Sequence, residues 1–218
     1  MKILDLFCCA GGAAMGYNQA GFEVVGVDIN PQPRYPFNFI QADALTVDLD
    51  GYDAIHASPP CQGYSEMRHA PGAKGAPLLI NEVREKLIAS GKPYVIENVD
   101  GAAWSMRNPI RLVGTMFGLG AQGCELQRGR LFETNWHLTA PEDRAQGKPV
   151  IGVYGGHARK RSAKAGGRGT RDVWEGGHKS AASEALGVDW MTLSEMSECI
   201  HPAYTRHIGE QLIKHIKG

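Results

Sequence analysis

Cys61 follows Ser58-Pro59-Pro60 and precedes Gln62-Gly63-Tyr64-Ser65, directly after the apolar run Ala54-Ile55-His56-Ala57. A short apolar run of this kind reads as a buried strand, so the thiol falls at a strand's carboxyl end, where open α/β sheets gather their chemistry. Two prolines remove amide donors and stiffen the backbone, which suits a loop that aims one side chain at a fixed point. A free cysteine is most often a small buried hydrophobe, so its neighbours decide whether it is a nucleophile. Tyr94-Val95-Ile96-Glu97-Asn98-Val99 ends a further apolar run in a carboxylate, placing Glu97 to face the same cleft. A thiol beside a buried acid is a sensible pair for attack on a protonatable ring. Gln127-Arg128-Gly129-Arg130 then brings two guanidinium groups to a strand entrance, able to read a base edge or hold a phosphate.

A second constellation lies at the start of the chain. Asp5-Leu6-Phe7-Cys8-Cys9-Ala10-Gly11-Gly12-Ala13 joins a strand to a helix through a glycine pair, so the backbone can approach a cofactor closely and the helix start offers free amides. Val24–Val27 runs into Asp28, the position from which an acid accepts hydrogen bonds from a ribose diol, and Gln41-Ala42-Asp43 supplies another strand-end acid. The glycine spacing is not the GxGxxG of dinucleotide enzymes. That favours an adenosyl ligand other than NAD and points to S-adenosylmethionine.

The elements that must position these groups alternate. Ile3–Phe7, Val24–Val27, Phe37–Ile40, Tyr52–Ala57 and Tyr94–Glu97 read as strands, with helical patterns at Ala13–Ala20 and Leu78–Ile88. This predicts an α/β fold, a Rossmann-like and mostly parallel sheet with helices on both faces. Arg130–Thr134 and Val150–Tyr154 read as further strands, 155–180 as a mobile Gly/Arg/Lys-rich loop, and Ser194–Ile216 as a closing helical stretch broken near Pro202. The 218 residues suit one domain, 1–218, without a second large one. Net charge is zero, yet residues 1–60 hold two basic against seven acidic groups and residues 127–179 eleven against five, which points to a polyanion docking at one edge. Five cysteines without a CxxC pair lead us to expect a reduced, cytoplasmic protein with no metal; no apolar run reaches the length of a membrane span, and a monomer is expected.

Taken together, Asp5–Gly16 with Asp28, Pro59-Pro60-Cys61-Gln62, Glu97-Asn98-Val99 and Arg128-Gly129-Arg130 resemble, in order and approximate spacing, the DNA (cytosine-5) methyltransferase family. The likeness is strong over residues 3–135 and loose in the carboxyl-terminal helix. The resemblance implies that Cys61 adds to carbon 6 of cytosine, Glu97 hydrogen-bonds ring nitrogen 3 and the exocyclic amine, and Arg128 and Arg130 polarise the base carbonyl. It implies that Phe7 meets the adenine of S-adenosylmethionine, Asp28 its ribose and Asp43 its amine, with Gly11, Gly12, Ile29 and Pro59 in the same shell. Gln62 and Ser65 would meet double-stranded DNA, whose target cytosine must be flipped out of the stack.

The chain departs from the family pattern at named places. Cys9 stands where the family has glycine, Leu126 where its arginine motif has glutamine, and Ser197-Glu198-Cys199-Ile200-His201-Pro202 where a Gly-Asn completes the cofactor pocket. Only about fifty residues, 139–190, are left for target recognition. Their Arg159, Lys160, Arg161, Lys164, Arg168 and Arg171 suit phosphate contacts, so specificity over about two to four base pairs is expected, with ordering of the loop on DNA. The compact length resembles methyltransferases of bacteriophage and mobile elements. His56 and Trp104 read as packed residues, Cys8 and Cys9 as structural, and Trp174 as the tryptophan to test for intercalation. Two alternatives stay open: the same chemistry on transfer RNA, and a catalytically silent DNA-binding relative.

Overall fold

The computed structural model describes residues 1–65, 75–161 and 174–218. A seven-stranded sheet forms its centre, in the order β3 (Asn38–Gln41), β2 (Glu23–Asp28), β1 (Lys2–Leu6), β4 (Ala54–Ala57), β5 (Tyr94–Asn98), β9 (Arg130–Thr134) and β6 (Ile110–Leu112). The first five are parallel, whereas β9 pairs antiparallel with both β5 and β6. Chain order therefore reverses between β1 and β4, and the loops after those strands open a crevice at their carboxyl ends. β4 and β5 are buried throughout, as strands covered on both faces must be.

Helices α1 (Gly12–Ala20) and α5 (Pro202–Lys217) cover one face, where Tyr17, Phe22, Phe132, Tyr204 and Ile208 share a core. Their axes come close because Gly16 has no Cβ; one there would collide with the Pro202 carbonyl and the Thr205 hydroxyl. Helix α2 (Ile80–Ala89) covers the other face with Ile80, Val83 and Leu87. Its Arg84 forms a buried ion pair with Glu133 of β9, Nε to Oε1 at 2.6 Å.

A smaller four-stranded sheet follows the order β11 (His157–Arg161), β10 (Val150–Tyr154), β8 (Cys124–Leu126) and β7 (Gly120–Ala121). Helices α3 (Gly177–Leu186) and α4 (Leu193–Glu198) pack on it. The stretch expected as one loop, 155–180, is thus corrected at both ends: β11 pairs antiparallel with β10, and α3 begins at Gly177. The charged side chains of β11 hid it, because an antiparallel hairpin can carry polar residues on its open face. Strands β6, β7 and β8 and helix α3 also escaped the sequence reading, being short or rich in glycine and alanine. Among the described residues no helix is long and apolar enough to cross a membrane, and no cluster of three His, Cys, Asp or Glu could hold a metal ion.

Candidate active site

The crevice holds a cavity of about 300 Å³ whose lining combines the two sequence constellations: Asp5, Phe7 and Gly12 on one side, Pro59, Cys61, Glu97 and Arg130 on the other. Cys61 is half-buried. The loop that carries it is tied by Tyr64 and Ser65 amides donating to the Cys61 carbonyl, and by the Asn98 amide group donating to the Pro59 carbonyl at 2.9 Å. Burial and the nearby Glu97 push its thiol up, while Arg130 pulls it down. Glu97 is buried at the end of β5, and burial raises its carboxyl against the opposing pull of Arg130, Ser58 and Arg128. Arg130 Nε lies 3.1 Å from Glu97 Oε1, close enough to pair the charges but without hydrogen-bond alignment. Gln62 and Ser65 also line the cavity.

Arg128 turns elsewhere. Its guanidinium is buried and donates to the carbonyls of Cys199, Met196 and Ser197 at the end of α4 and of Val153 on β10, at 2.7 to 3.1 Å. It does not line the cavity, so its expected place at the base carbonyl is corrected to a clamp that joins the two sheets. The clamp also holds the segment that departs from the family pattern, because Ser197, Glu198, Cys199 and Ile200 form the cavity's far wall. A Cβ at Gly12 would strike the Cys199 sulfur and the Ile200 carbonyl, which is why a glycine stands there.

The cavity fits a dipolar, cationic ligand such as S-adenosylmethionine. Asp5, which the sequence reading did not single out, is fully buried against the cavity with neither carboxylate oxygen hydrogen-bonded, an arrangement that a cationic group would satisfy. The start of α1 has no side-chain cap, leaving amides free for a carboxylate. Phe7 sits in the left-handed region, φ 59°, at the turn out of β1. Asp28, Ile29 and Asp43 do not line the cavity. Asp28 accepts from the Cys9 and Asn30 amides and so props the first turn, Ile29 is 65% exposed beside it, and Asp43 accepts from the Leu45 amide. Gly11, also left-handed, completes the turn.

Two tryptophans exchange places. Trp174 is only 6% exposed and donates its indole N–H to the Ala158 carbonyl at 3.0 Å, so it belongs to the small sheet's core and cannot intercalate. Trp104, expected to be packed, is 69% exposed on a 3₁₀ turn beside the Cys61 loop, its ring 5.6 Å from that of Tyr64. Arg159, Lys160 and Arg161 lie on β11, whereas Lys164, Arg168 and Arg171 fall outside the described residues.

The sheet and its crevice define an S-adenosylmethionine-dependent methyltransferase fold. A crystal structure of a DNA modification methyltransferase encoded in an E. coli prophage superposes with a TM-score of 0.62 at 14% identity, over 100% of both chains. The profile of the C-5 cytosine-specific DNA methylase family matches residues 1–108. Type II methyltransferase M.HgiGI of Herpetosiphon aurantiacus is 33% identical over 120 residues, which cover 48% of this chain and 95% of that protein. M.HgiDI of the same organism is 31% identical over 120 residues, 48% of this chain but only 39% of the longer relative. The chain belongs to the C-5 cytosine-specific DNA methylase family, whose enzyme class is DNA cytosine-5 methyltransferase and whose cofactor is S-adenosylmethionine.

Proposed function

We propose that this chain methylates carbon 5 of a flipped-out cytosine in double-stranded DNA through a covalent bond between Cys61 and carbon 6. The observation that carries the reading is the convergence of Cys61, Glu97 and Arg130 on one cavity with Asp5 and the uncapped start of α1. Carbon 5 is a poor nucleophile within an aromatic ring, so addition at carbon 6 is needed to make it electron-rich. With its thiol held up by burial, Cys61 must shed its proton as it adds. Glu97, its carboxyl raised by burial, can share a proton with ring nitrogen 3 as charge develops there. Arg130, beside Glu97, keeps the carboxylate tolerable once the proton has left. S-adenosylmethionine would supply an electrophilic methyl group, with Asp5 to hold its cationic part, the α1 amides its carboxylate and Phe7 its adenine. The carbon-5 proton passes to water, the proton on ring nitrogen 3 returns to Glu97 and Cys61 departs, which restores the ring.

Residues 139–190 serve as a reduced target-recognition insertion within a single catalytic domain, 1–218. Arg159 and Arg161 share one face of β11, and Arg161 stacks 5.5 Å from the Tyr154 ring, itself part of the cavity lining. That arrangement sets cations beside the mouth, suited to phosphates flanking a flipped base. Gln62 and Ser65, together with Lys164, Arg168 and Arg171 outside the described residues, complete the proposed DNA contacts, with short sequence specificity.

Incubation with tritiated S-adenosylmethionine and a duplex containing 5-fluorocytosine tests it. A labelled covalent complex on a denaturing gel is expected for the wild type and none for Cys61→Ser. Cofactor binding without any complex on varied duplexes would sink the DNA reading and move the test to folded RNA; no cofactor binding at all would support the silent-relative alternative.

A further inference from the structure

His56 occupies the third position of β4, fully buried, two residues before Ser58. As expected from sequence it packs in the core, but both ring nitrogens have partners on other elements. Nδ1 lies 2.9 Å from the Tyr17 hydroxyl on α1, and Nε2 lies 2.8 Å from the Ser58 hydroxyl. Ser58 follows β4 beside the end of β5, lines the cavity together with Glu97, and pulls the Glu97 carboxyl down. The directions follow from donor inventory. Burial holds His56 down at about 3, so the ring is neutral, with one N–H and one bare nitrogen. An ionised Glu97 only accepts, so Ser58 can only donate toward it, Ser58 accepts from His56 Nε2–H, and bare Nδ1 accepts the Tyr17 O–H. When Glu97 carries a proton, every bond in the row can reverse.

We infer that Tyr17, His56 and Ser58 form a positioning row that fixes the orientation of the Glu97 carboxyl. The inference rests on Glu97 being the group that contacts the base. An apolar residue at position 56 would fill β4 without polar partners, whereas both ring nitrogens of the buried His56 are partnered. Asp5 Oδ1, from β1, lies 4.0 Å from His56 Nε2, too far to divert that donor. The other charged or titratable groups that interact with Glu97 include Arg130 on β9, Arg128 from the β8–β9 connection, the Cys61 thiol from the loop after β4, Asp5 from β1 and Cys199 after α4.

The test follows the Glu97 carboxyl by carbon-13 titration alongside the pH dependence of kcat, in the wild type, Ser58→Ala and Tyr17→Phe. Removing the Ser58 hydroxyl withdraws its downward pull on the carboxyl, so the Glu97 midpoint should rise in Ser58→Ala and, by less, in Tyr17→Phe. The Glu97 limb of the kcat profile should move the same way, with kcat lower by about tenfold to a hundredfold and the KM for S-adenosylmethionine unchanged. Tyr17→Phe deletes one oxygen only and keeps the experiment readable where Ser58→Ala is poorly folded. A Glu97 midpoint equal in all three proteins would overturn the inference, as would a loss of kcat with an unmoved pH profile, which marks a structural role. Displaced midpoints in a protein that never traps 5-fluorocytosine DNA would overturn the catalytic role of Glu97 while leaving the row itself standing.

Discussion

The seven-stranded sheet carries its reactive groups on the ends of neighbouring parallel strands, while the four-stranded sheet contributes a wall that one buried arginine fastens in place. Cys61 and Glu97 reach the cavity from strands that pair directly, so a few residues around each suffice to aim them. The wall at Ser197–Ile200 depends on Arg128, whose bonds span 25 to 71 residues of sequence. In one region chemistry is local to the motif; in the other it depends on distant packing.

The largest effect that would sharpen this contrast belongs to Cys61. Cys61→Ser should lower methyl transfer by at least about a thousandfold while leaving the unfolding free energy within about 0.5 kcal/mol, read by tritium transfer and urea denaturation. A comparable change in stability would break the picture of a locally aimed residue. Arg128→Met should do the reverse, costing about 3–5 kcal/mol because buried carbonyls at the end of α4 and on β10 lose their donor, and weakening S-adenosylmethionine binding measured by calorimetry. Unchanged stability and binding would remove the clamp from the account.

The tryptophans set the two regions against each other directly. Trp174→Ala should cost about 3–5 kcal/mol as a core truncation, whereas Trp104→Ala should stay within about 0.5 kcal/mol, both read by chemical denaturation. The opposite order would return the residues to the places expected from sequence. Acid should act on both sheets, because burial holds His56 and His201 down at about 3. Their folded values lie below the unfolded one of about 6.5, so the unfolded chain binds more protons in acid. Stability is full above about pH 6.5 and falls toward pH 3, by about 1.4 kcal/mol per pH unit for each histidine. A denaturation midpoint flat between pH 7 and 4 would contradict this. A modest effect belongs to Cys9, held at φ 44° at a position where the resemblance leads us to expect glycine. Cys9→Gly should relieve a left-handed backbone and raise stability by about 1 kcal/mol in the same denaturation assay.

Much of the catalytic sheet was legible because strand periodicity and strand-end motifs act over a few neighbouring residues. The prolines before Cys61, the apolar run into Glu97 and the glycine pair at the first turn each announce a local backbone, and the structure brings Cys61, Glu97, Arg130, Phe7 and Gly12 to one cavity. The small sheet was less legible. Its strands β7 and β8 span two and three residues, and β11 carries four charged or histidine side chains, so neither length nor alternation marked them.

By itself the sequence determined the α/β alternation, the thiol and acid at strand ends, and the family pattern that joins them. Only the tertiary structure decided that Arg128 faces away from the cavity, that Asp5 stands unpaired within it, that Trp104 is exposed and Trp174 buried, and that His56 leads through Ser58 to Glu97. The physical reason is range. Backbone conformation and strand-end position follow from adjacent residues, but burial and hydrogen-bond partners are set by residues brought close from far along the chain, and no local pattern records which ones arrive.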